Sequence, residues 1–363
     1  MHTNKKIKLF LVADGYGTIH SEILSKYLSK INYQVKNFFW KFLYHKDIYD
    51  KKKTFSFFYY LSKVDNHFIF GPITLFINIR FIISSIKNNY DIIFFHRATH
   101  INHLAVFIVK RFTSSIFISY NNDDPFSKKA KKNLWKNYIK SIKYIDHCFV
   151  YRKKNIEEHL ILGCSNSSLL RSYYIPEFNF YIEENKVPLK FRSDVIFAGH
   201  FEDDNRDSLL LYLLNKGVNL KIYGSNWQKS IHYKEFLKFM PDIDELSLYD
   251  YNLALNGSKI ALIFLSKLNN DTYTRRCFEI PLAKSMIISE KSLDIKNNLF
   301  TENSCIFFNS KNDLFNKINY YLDNNEIRKK IAISALKKVC NRDSIVNRVF
   351  DINEIVLKLL EKK

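Results

Sequence analysis

Short apolar runs alternate with helix-spaced segments along most of this 363-residue chain, and that alternation constrains the fold more than any other feature. Residues 7–13 (IKLFLVA) read as a buried strand, followed by glycines and a helical pattern over 19–31. Runs at 91–95 (DIIFF), 115–120 (SIFISY) and 146–151 (DHCFVY) predict three more strands, with helices at 102–110 and 132–142 between them. The pattern breaks around 174–190, where Pro176 and Pro188 flank a polar, acidic segment that reads as a linker. It resumes at 194–198 (DVIFA), 219–223 (NLKIY), 259–265 (KIALIFL), 286–289 and 305–308, with helices expected at 207–216, 311–322 and 325–338. The prediction is an α/β protein with two Rossmann-like domains facing across a cleft. Their expected bounds are 1–180 and 194–342, with a linker at 181–193 and a C-terminal helix at 343–363 that packs back on the first domain.

Charge divides the chain unevenly. Residues 1–190 carry 30 Lys and Arg against 14 Asp and Glu, so the first half holds a net +16 of the formal +20. Lys, Asn, Ile, Phe and Tyr are enriched together, as AT-rich codons produce, but codon bias acts on both halves alike and leaves the asymmetry unexplained. A basic first half suits an anionic partner: membrane lipid, nucleic acid or a phosphorylated substrate. The five cysteines are scattered, without the close spacing of a zinc or redox motif, and read as free thiols of a reducing cytoplasm. The first apolar run is too short for a signal peptide. Residues 68–86 (FIFGPITLFINIRFIISSI) are the most apolar window, interrupted by Gly71, Pro72, Asn78 and Arg80. A span needs about 20 largely uninterrupted apolar residues, so a buried or interfacial helix is expected there.

Residues 270–290 (NDTYTRRCFEIPLAKSMIISE) carry the sharpest chemistry. A polar loop runs into a helix starting near Thr274 and then a strand near Ile287. Arg275 and Arg276 lie at the helix start, where backbone N–H groups favour phosphate, and an arginine fork adds bidentate contacts to a diphosphate. Glu279, one turn further, is placed to accept hydrogen bonds from ribose hydroxyls, and Asp271 precedes it by eight positions. Read from the residues alone, an ordinary amphipathic helix with a solvated arginine pair fits equally well.

The segment resembles the paired-acid element of retaining GT-B glycosyltransferases of the group 1 family, and is more similar still to the spore-maturation-protein type. The matching residues are Arg276-Cys277-Phe278-Glu279, the turn Ala283-Lys284-Ser285, the strand 286–289 and Glu290. That family usually has Gly at the place of Ser285 and Glu or Ser at the place of Asp271. Two further stretches follow the family's order: 195–206 (VIFAGHFEDDNR), with Gly199 and Arg206, and 221–227 (KIYGSNW), with Tyr223, Gly224 and Trp227. The resemblance covers mainly residues 191–345. It implies a glycosyltransferase taking its sugar from a nucleotide-diphosphate donor. Donor-binding residues would be Gly199, Arg206, Tyr223, Gly224, Trp227, Thr274, Arg275, Arg276 and Glu279, with Asp271 facing the transferred sugar. It also implies retention of configuration and no metal or other cofactor.

In the first half, Gly15 and Gly17 follow the first strand and let a substrate approach the backbone. As a dinucleotide motif the pair is incomplete, because His20 stands at the third glycine position and no acid closes a clear second strand about 20 residues on. His96 ends a strand and is a candidate acid or base. Asp123 and Asp124, in the segment NNDDP, are candidate acceptor-side residues, although Asn, Asp and Pro also simply build turns. Residues 36–63 interleave bases with aromatics, which suits an anionic membrane surface, stacking on single-stranded nucleic acid, or a basic loop flanking buried rings. The expected enzyme is cytoplasmic and peripheral on the inner face of the membrane, with a glycan or lipid-linked acceptor as in surface polysaccharide assembly. The alternatives are a basic nucleic-acid-binding protein, although nucleic acid is not the expected partner, a GT-B-like protein that binds nucleotide without catalysis, and an oxidoreductase, which the incomplete glycine motif disfavours.

Overall fold

The structure is a computed structural model that describes residues 6–15, 19–48 and 53–363. The chain forms two compact units: Met1–Arg171 with Arg348–Lys363, and Ser172–Asn347.

Unit 1 is built on a six-stranded sheet in the order β2-β1-β3-β4-β5-β6. Its strands are β1 (Ile7–Ala13), β2 (Tyr33–Phe39), β3 (Ile92–His96), β4 (Ile116–Asn121), β5 (His147–Val150) and β6 (Ser167–Leu169), and all their pairings are parallel. Helices α1 (Ile19–Ser29), α2 (Phe57–Phe68), α3 (Pro72–Asn88), α4 (His103–Phe112), α5 (Lys132–Ser141) and α6 (Lys154–Ile161) connect them. Every residue of β3 and β4 is buried, as expected of parallel strands covered on both faces. Stacked and edge-on rings fill the core: Phe10 lies 4.4 Å from Tyr90, and Phe95 lies 5.5 Å from Phe117.

Two strands escape the sequence reading. β2 pairs with β1 alone, at the sheet edge, so its middle residues face water and break the apolar run. β6, at the other edge, has three residues, all half-buried. Within 36–63, the basic and aromatic stretch divides between the end of β2, two short 3₁₀ turns and the start of α2, and residues 49–52 lie outside the described residues.

Unit 2 has a five-stranded parallel sheet in the order β11-β10-β9-β7-β8. Its strands are β7 (Ser193–Ala198), β8 (Leu220–Tyr223), β9 (Ser258–Ile263), β10 (Met286–Glu290) and β11 (Ile306–Phe308). They alternate with α7 (Arg206–Asn215), α8 (Tyr233–Phe236), α9 (Leu248–Asn256), α10 (Arg276–Glu279), α11 (Lys311–Asp323) and α12 (Asn325–Val339). Residues 172–193, around the expected linker, are tied to this unit. The Ile182 N–H donates to Asn256 Oδ1 at 2.7 Å, and a Cβ at Gly257 would stand 2.5 Å from the Phe191 carbonyl oxygen. The last helix, α13 (Ile345–Glu361), has most of its length in unit 1, where the Tyr33 hydroxyl donates to Asn353 Oδ1 at 2.9 Å.

The loops after β7 and β8 interlock. The Gly199 N–H donates to the Tyr223 carbonyl at 2.8 Å, and the Trp227 indole N–H donates to the Gly199 carbonyl at 3.0 Å. Gly224 has φ +141°, and a Cβ there would lie 2.1 Å from the Gly199 carbonyl oxygen. Gly224→Ala should therefore destabilise the protein by about 2 kcal/mol or more, measured by urea unfolding. A change within error would show that this contact does not constrain the loop.

Candidate functional site

In parallel α/β sheets, ligands bind beyond the carboxyl ends of the strands, where the strand order reverses. In unit 2 that reversal falls between β7 and β9, which pair side by side while β8 lies on the far side of β7. Arg276 occupies this point. Its Nη1 donates to the Ala198 carbonyl at 2.9 Å, at the end of β7, and its Nη2 to the Phe264 carbonyl at 3.4 Å, just past β9. Its Nε is buried without a hydrogen-bond partner. Gly199 allows this approach: a Cβ there would meet Arg276 Nη1 at 3.0 Å and the Phe197 ring at 2.8 Å.

The helix that carries Arg276 is shorter than the sequence suggests. It has four residues and continues as a 3₁₀ turn over Ile280–Ala283, because Pro281 has no N–H to extend the α pattern. The Arg276 N–H is also taken by the Thr274 hydroxyl at 3.1 Å. Anion attraction at this place therefore comes chiefly from guanidinium groups, with a small share from a helix terminus. Glu279 is buried, and both its oxygens are engaged: the Tyr251 hydroxyl donates to Oε2 at 3.0 Å, and Arg275 Nε lies 2.7 Å from Oε1. Burial, followed by the Glu279 charge, pushes the Tyr251 phenol well above its usual range.

The loop after β9 frames the same edge. The Asp271 N–H donates to the Ser266 carbonyl at 2.9 Å, which sets the half-buried Asp271 at the end of a closed loop. Glu290, at the end of β10, accepts the Leu265 N–H at 2.7 Å. Glu202 faces the loop from the β7 side. Burial raises its carboxyl, but hydrogen bonds from His200 and Ser266 and the Arg206 charge outweigh burial and hold it at about 2.

Two predicted donor residues turn inward. Trp227 is fully buried among Phe197, Phe201 and Phe236, so no face of the indole is open and its polar contact is with Gly199. Arg206 is also buried: Nε and Nη2 bond Asp204 at 2.8 and 2.7 Å, and Nη1 bonds the His200 carbonyl at 2.9 Å. Both shape the loops beside Arg276. Tyr223 and Gly224 stand at the end of β8 next to Gly199, with the Tyr223 phenol raised by burial.

Unit 1 repeats the arrangement. Its strand order reverses between β1 and β3, and Arg97 stands there with φ +52°. Its Nε donates to Asp123 Oδ2 at 2.9 Å and its Nη1 to Asp14 Oδ2 at 3.4 Å, linking the loops after β1, β3 and β4. Burial raises the Asp14 carboxyl against the pull of Arg97 and Lys41. The sequence reading makes Asp123 a site candidate and points to the strand ends at Asp14-Gly15 and His96-Arg97, but takes Gly15 and His96 from them as candidates rather than Asp14 and Arg97. Gly15 has φ +64° and packs so closely that a Cβ would overlap the Phe39 ring. Gly17 lies outside the described residues. Asp124 is fully buried, held by Lys154 Nζ at 2.8 Å and Asn155 Nδ2 at 3.0 Å, so it supports the loop from beneath. His96 is buried against Tyr120, with Ser21 Oγ 2.8 Å from Nδ1.

Residues 206–354 match the family model described as glycosyl transferase-like. No curated protein sequence matches the chain. Sucrose-phosphate synthase of Thermosynechococcus elongatus superposes with TM-score 0.72 at 10% identity, covering 99% of this chain and 100% of that one. HepE of Anabaena in complex with UDP-glucose gives TM-score 0.67 at 11% identity, over 97% and 99%. A Listeria monocytogenes protein assigned as a UDP-N-acetylglucosamine 2-epimerase gives 0.58 at 13% identity, over 99% and 98%. The chain has the GT-B fold, and its segment 206–354 is similar to glycosyl transferase-like proteins. Arg276 and Glu279 lie within that segment, and Gly199 lies just before it.

His96 gives a pH test. Burial first, and then the Arg97 charge, lower its pKa from 6.5 to about 4. Between those values the unfolded chain binds a proton that the folded chain refuses, so stability falls as pH drops through this window. The loss is on the order of 3 kcal/mol in full. Histidine NMR should find His96 neutral at pH 6, and His96→Gln should flatten part of the acid limb of the stability curve. An imidazole that titrates near its ordinary value would contradict this.

Proposed function

We propose that the protein is a glycosyltransferase that binds the nucleotide-diphosphate part of its sugar donor at the carboxyl edge of the unit 2 sheet. The observation that carries this reading is Arg276, whose guanidinium stands at the strand-order reversal with a buried, unpartnered Nε. A diphosphate oxygen would satisfy that N–H with a charge-assisted bond. Arg275 and Arg276 would then stabilise the leaving diphosphate as its charge develops, which is where preorganised donors help most. Glu279 would accept ribose hydroxyls, and Asp271 would face the sugar being transferred. The reading assigns the diphosphate charge to the arginines and needs no metal. Retention of configuration is adopted from the family resemblance. UDP is the first nucleotide to test, because HepE is in complex with UDP-glucose. The acceptor, a glycan or lipid-linked glycan, is assigned to unit 1, where Arg97, Asp14 and Asp123 form a polar cluster at the strand ends. A cytoplasmic enzyme peripheral on the inner membrane face fits the basic first half.

Thermal shift with UDP-, GDP-, ADP- and CMP-sugars tests this. One nucleotide family should stabilise the wild type, by about 2.7 kcal/mol at a hundredfold excess over Kd. Arg276→Ala should weaken that nucleotide roughly 10- to 100-fold, and Glu279→Ala should weaken it by a smaller factor. The donor-site reading fails if no nucleotide stabilises the wild type, or if both variants respond as the wild type does. Sugar transferred to water or acceptor separates a transferase from an epimerase on the same fold, which would return an isomerised nucleotide-sugar.

A further inference from the structure

Helices α2 and α3 leave a large apolar face uncovered. They meet at 66°, and one side of each packs inward: Tyr59, Ser62 and Asp65 on α2, and Thr74, Ile77, Asn78, Phe81 and Ser85 on α3. The opposite side is open. Phe57 is 84% exposed, Phe70 80%, Leu75 61% and Ile83 58%, and Phe68 and Ile79 are also exposed. On α3, positions 75, 79, 83 and 86 recur at helical spacing on the side away from the core, so this is a second apolar stripe, separate from the buried one. Soluble surfaces rarely expose contiguous apolar area of this kind without a partner.

The charges around the face select the partner. Between Ser56 and Tyr90 the sequence has one acid, Asp65. It is buried, accepting the Ile73 N–H at 2.8 Å, the Thr74 N–H at 3.2 Å, the Thr74 hydroxyl and the Tyr44 hydroxyl at 3.0 Å. Its carboxylate thus clamps the bend between the helices and adds no negative charge to the surface. Lys63, Arg80 and Lys87 on these helices are all exposed. The outer face is therefore apolar with a cationic margin and no exposed carboxylate, which complements an anionic bilayer surface. Neither helix, of 12 and 17 residues, is long and apolar enough to cross a membrane alone, and the inner sides are committed to the core.

We propose that the α2–α3 face is a membrane-docking surface that lies in the interface of an anionic bilayer, with Phe57, Phe70 and Leu75 buried at the acyl boundary and Lys63, Arg80 and Lys87 at the headgroups. This deepens the proposed function, because it rests on that reading for its purpose: an enzyme seated this way meets a lipid-linked acceptor without leaving the membrane plane. The surface itself belongs to unit 1 and is independent of the donor site.

Flotation of the full chain with vesicles tests it, using phosphatidylcholine alone and an equal mixture with phosphatidylglycerol. The wild type should float with the mixture at low salt, and less at high salt. Phe57→Ser combined with Phe70→Ser and Leu75→Ser should lower the partition coefficient about tenfold or more, since each exposed ring or branch contributes by its buried area. Lys63→Glu with Arg80→Glu and Lys87→Glu should abolish the preference for the anionic mixture. Both variants should keep the wild-type nucleotide thermal shift, which shows that they are folded. The proposal is overturned if the wild type does not float, or if the apolar variant floats equally well. It is also overturned if light scattering shows a dimer that the apolar variant dissolves, since the face would then join two copies. Flotation without any nucleotide shift would remove the donor reading and leave the surface standing.

Discussion

A guanidinium that bridges two strand ends organises unit 2. Arg276 holds the carbonyls of Ala198 and Phe264, and so pins together the loops that leave β7 and β9. Everything else at this edge is arranged around it. Gly199 has no side chain because Arg276 and Phe197 occupy the space, and Gly224 has none because Gly199 does. Trp227 fixes the Gly199 carbonyl from below, and Arg206 stiffens the rest of the loop through Asp204 and His200. Arg276 is half-buried, and its Nε is a buried donor left without a partner, so the arrangement favours an arriving anion.

The first unit uses the same device with opposite balance. Arg97 also stands at the reversal of strand order, but two carboxylates, Asp14 and Asp123, already face it. An arginine met by two acids has little attraction for phosphate, and it is the acids that offer hydrogen-bond acceptors to hydroxyl groups. In the proposed reading the two units thus use equivalent places in one architecture differently, unit 2 for the diphosphate and unit 1 for a polyhydroxylated acceptor. The uneven net charge is spread over the first half, in its loops and turns as well as its helices, and the cationic margin of α2 and α3 is one part of it.

The central strands were legible because both their faces are buried, which leaves uninterrupted runs such as IIFFH and IFISYN. Edge strands were not, because β2 and β6 keep one side unpaired and admit polar residues. Arg276 and Glu279 could be chosen through their spacing and family resemblance. Arg206 and Trp227 came from the same resemblance, yet no one-dimensional signal reveals that their side chains turn inward. That outcome depends on Asp204 and on the rings of Phe201 and Phe236. Tyr251, which holds Glu279, lies 28 positions away and became visible only once the helices were packed. The amphipathic face of α3 shows the converse: its apolar window was plain, but its two-sided character needed the core to be seen on one side and solvent on the other.

Arginine side-chain NMR on selectively labelled protein tests the donor site most directly. On saturation with the stabilising nucleotide-sugar, the Nε–H resonance of Arg276 should shift strongly as its vacant donor finds a phosphate oxygen. The Nε–H of Arg206, already bonded to Asp204 at 2.8 Å, should move little. An Arg276 resonance that stays in place while the nucleotide is demonstrably bound would contradict the account.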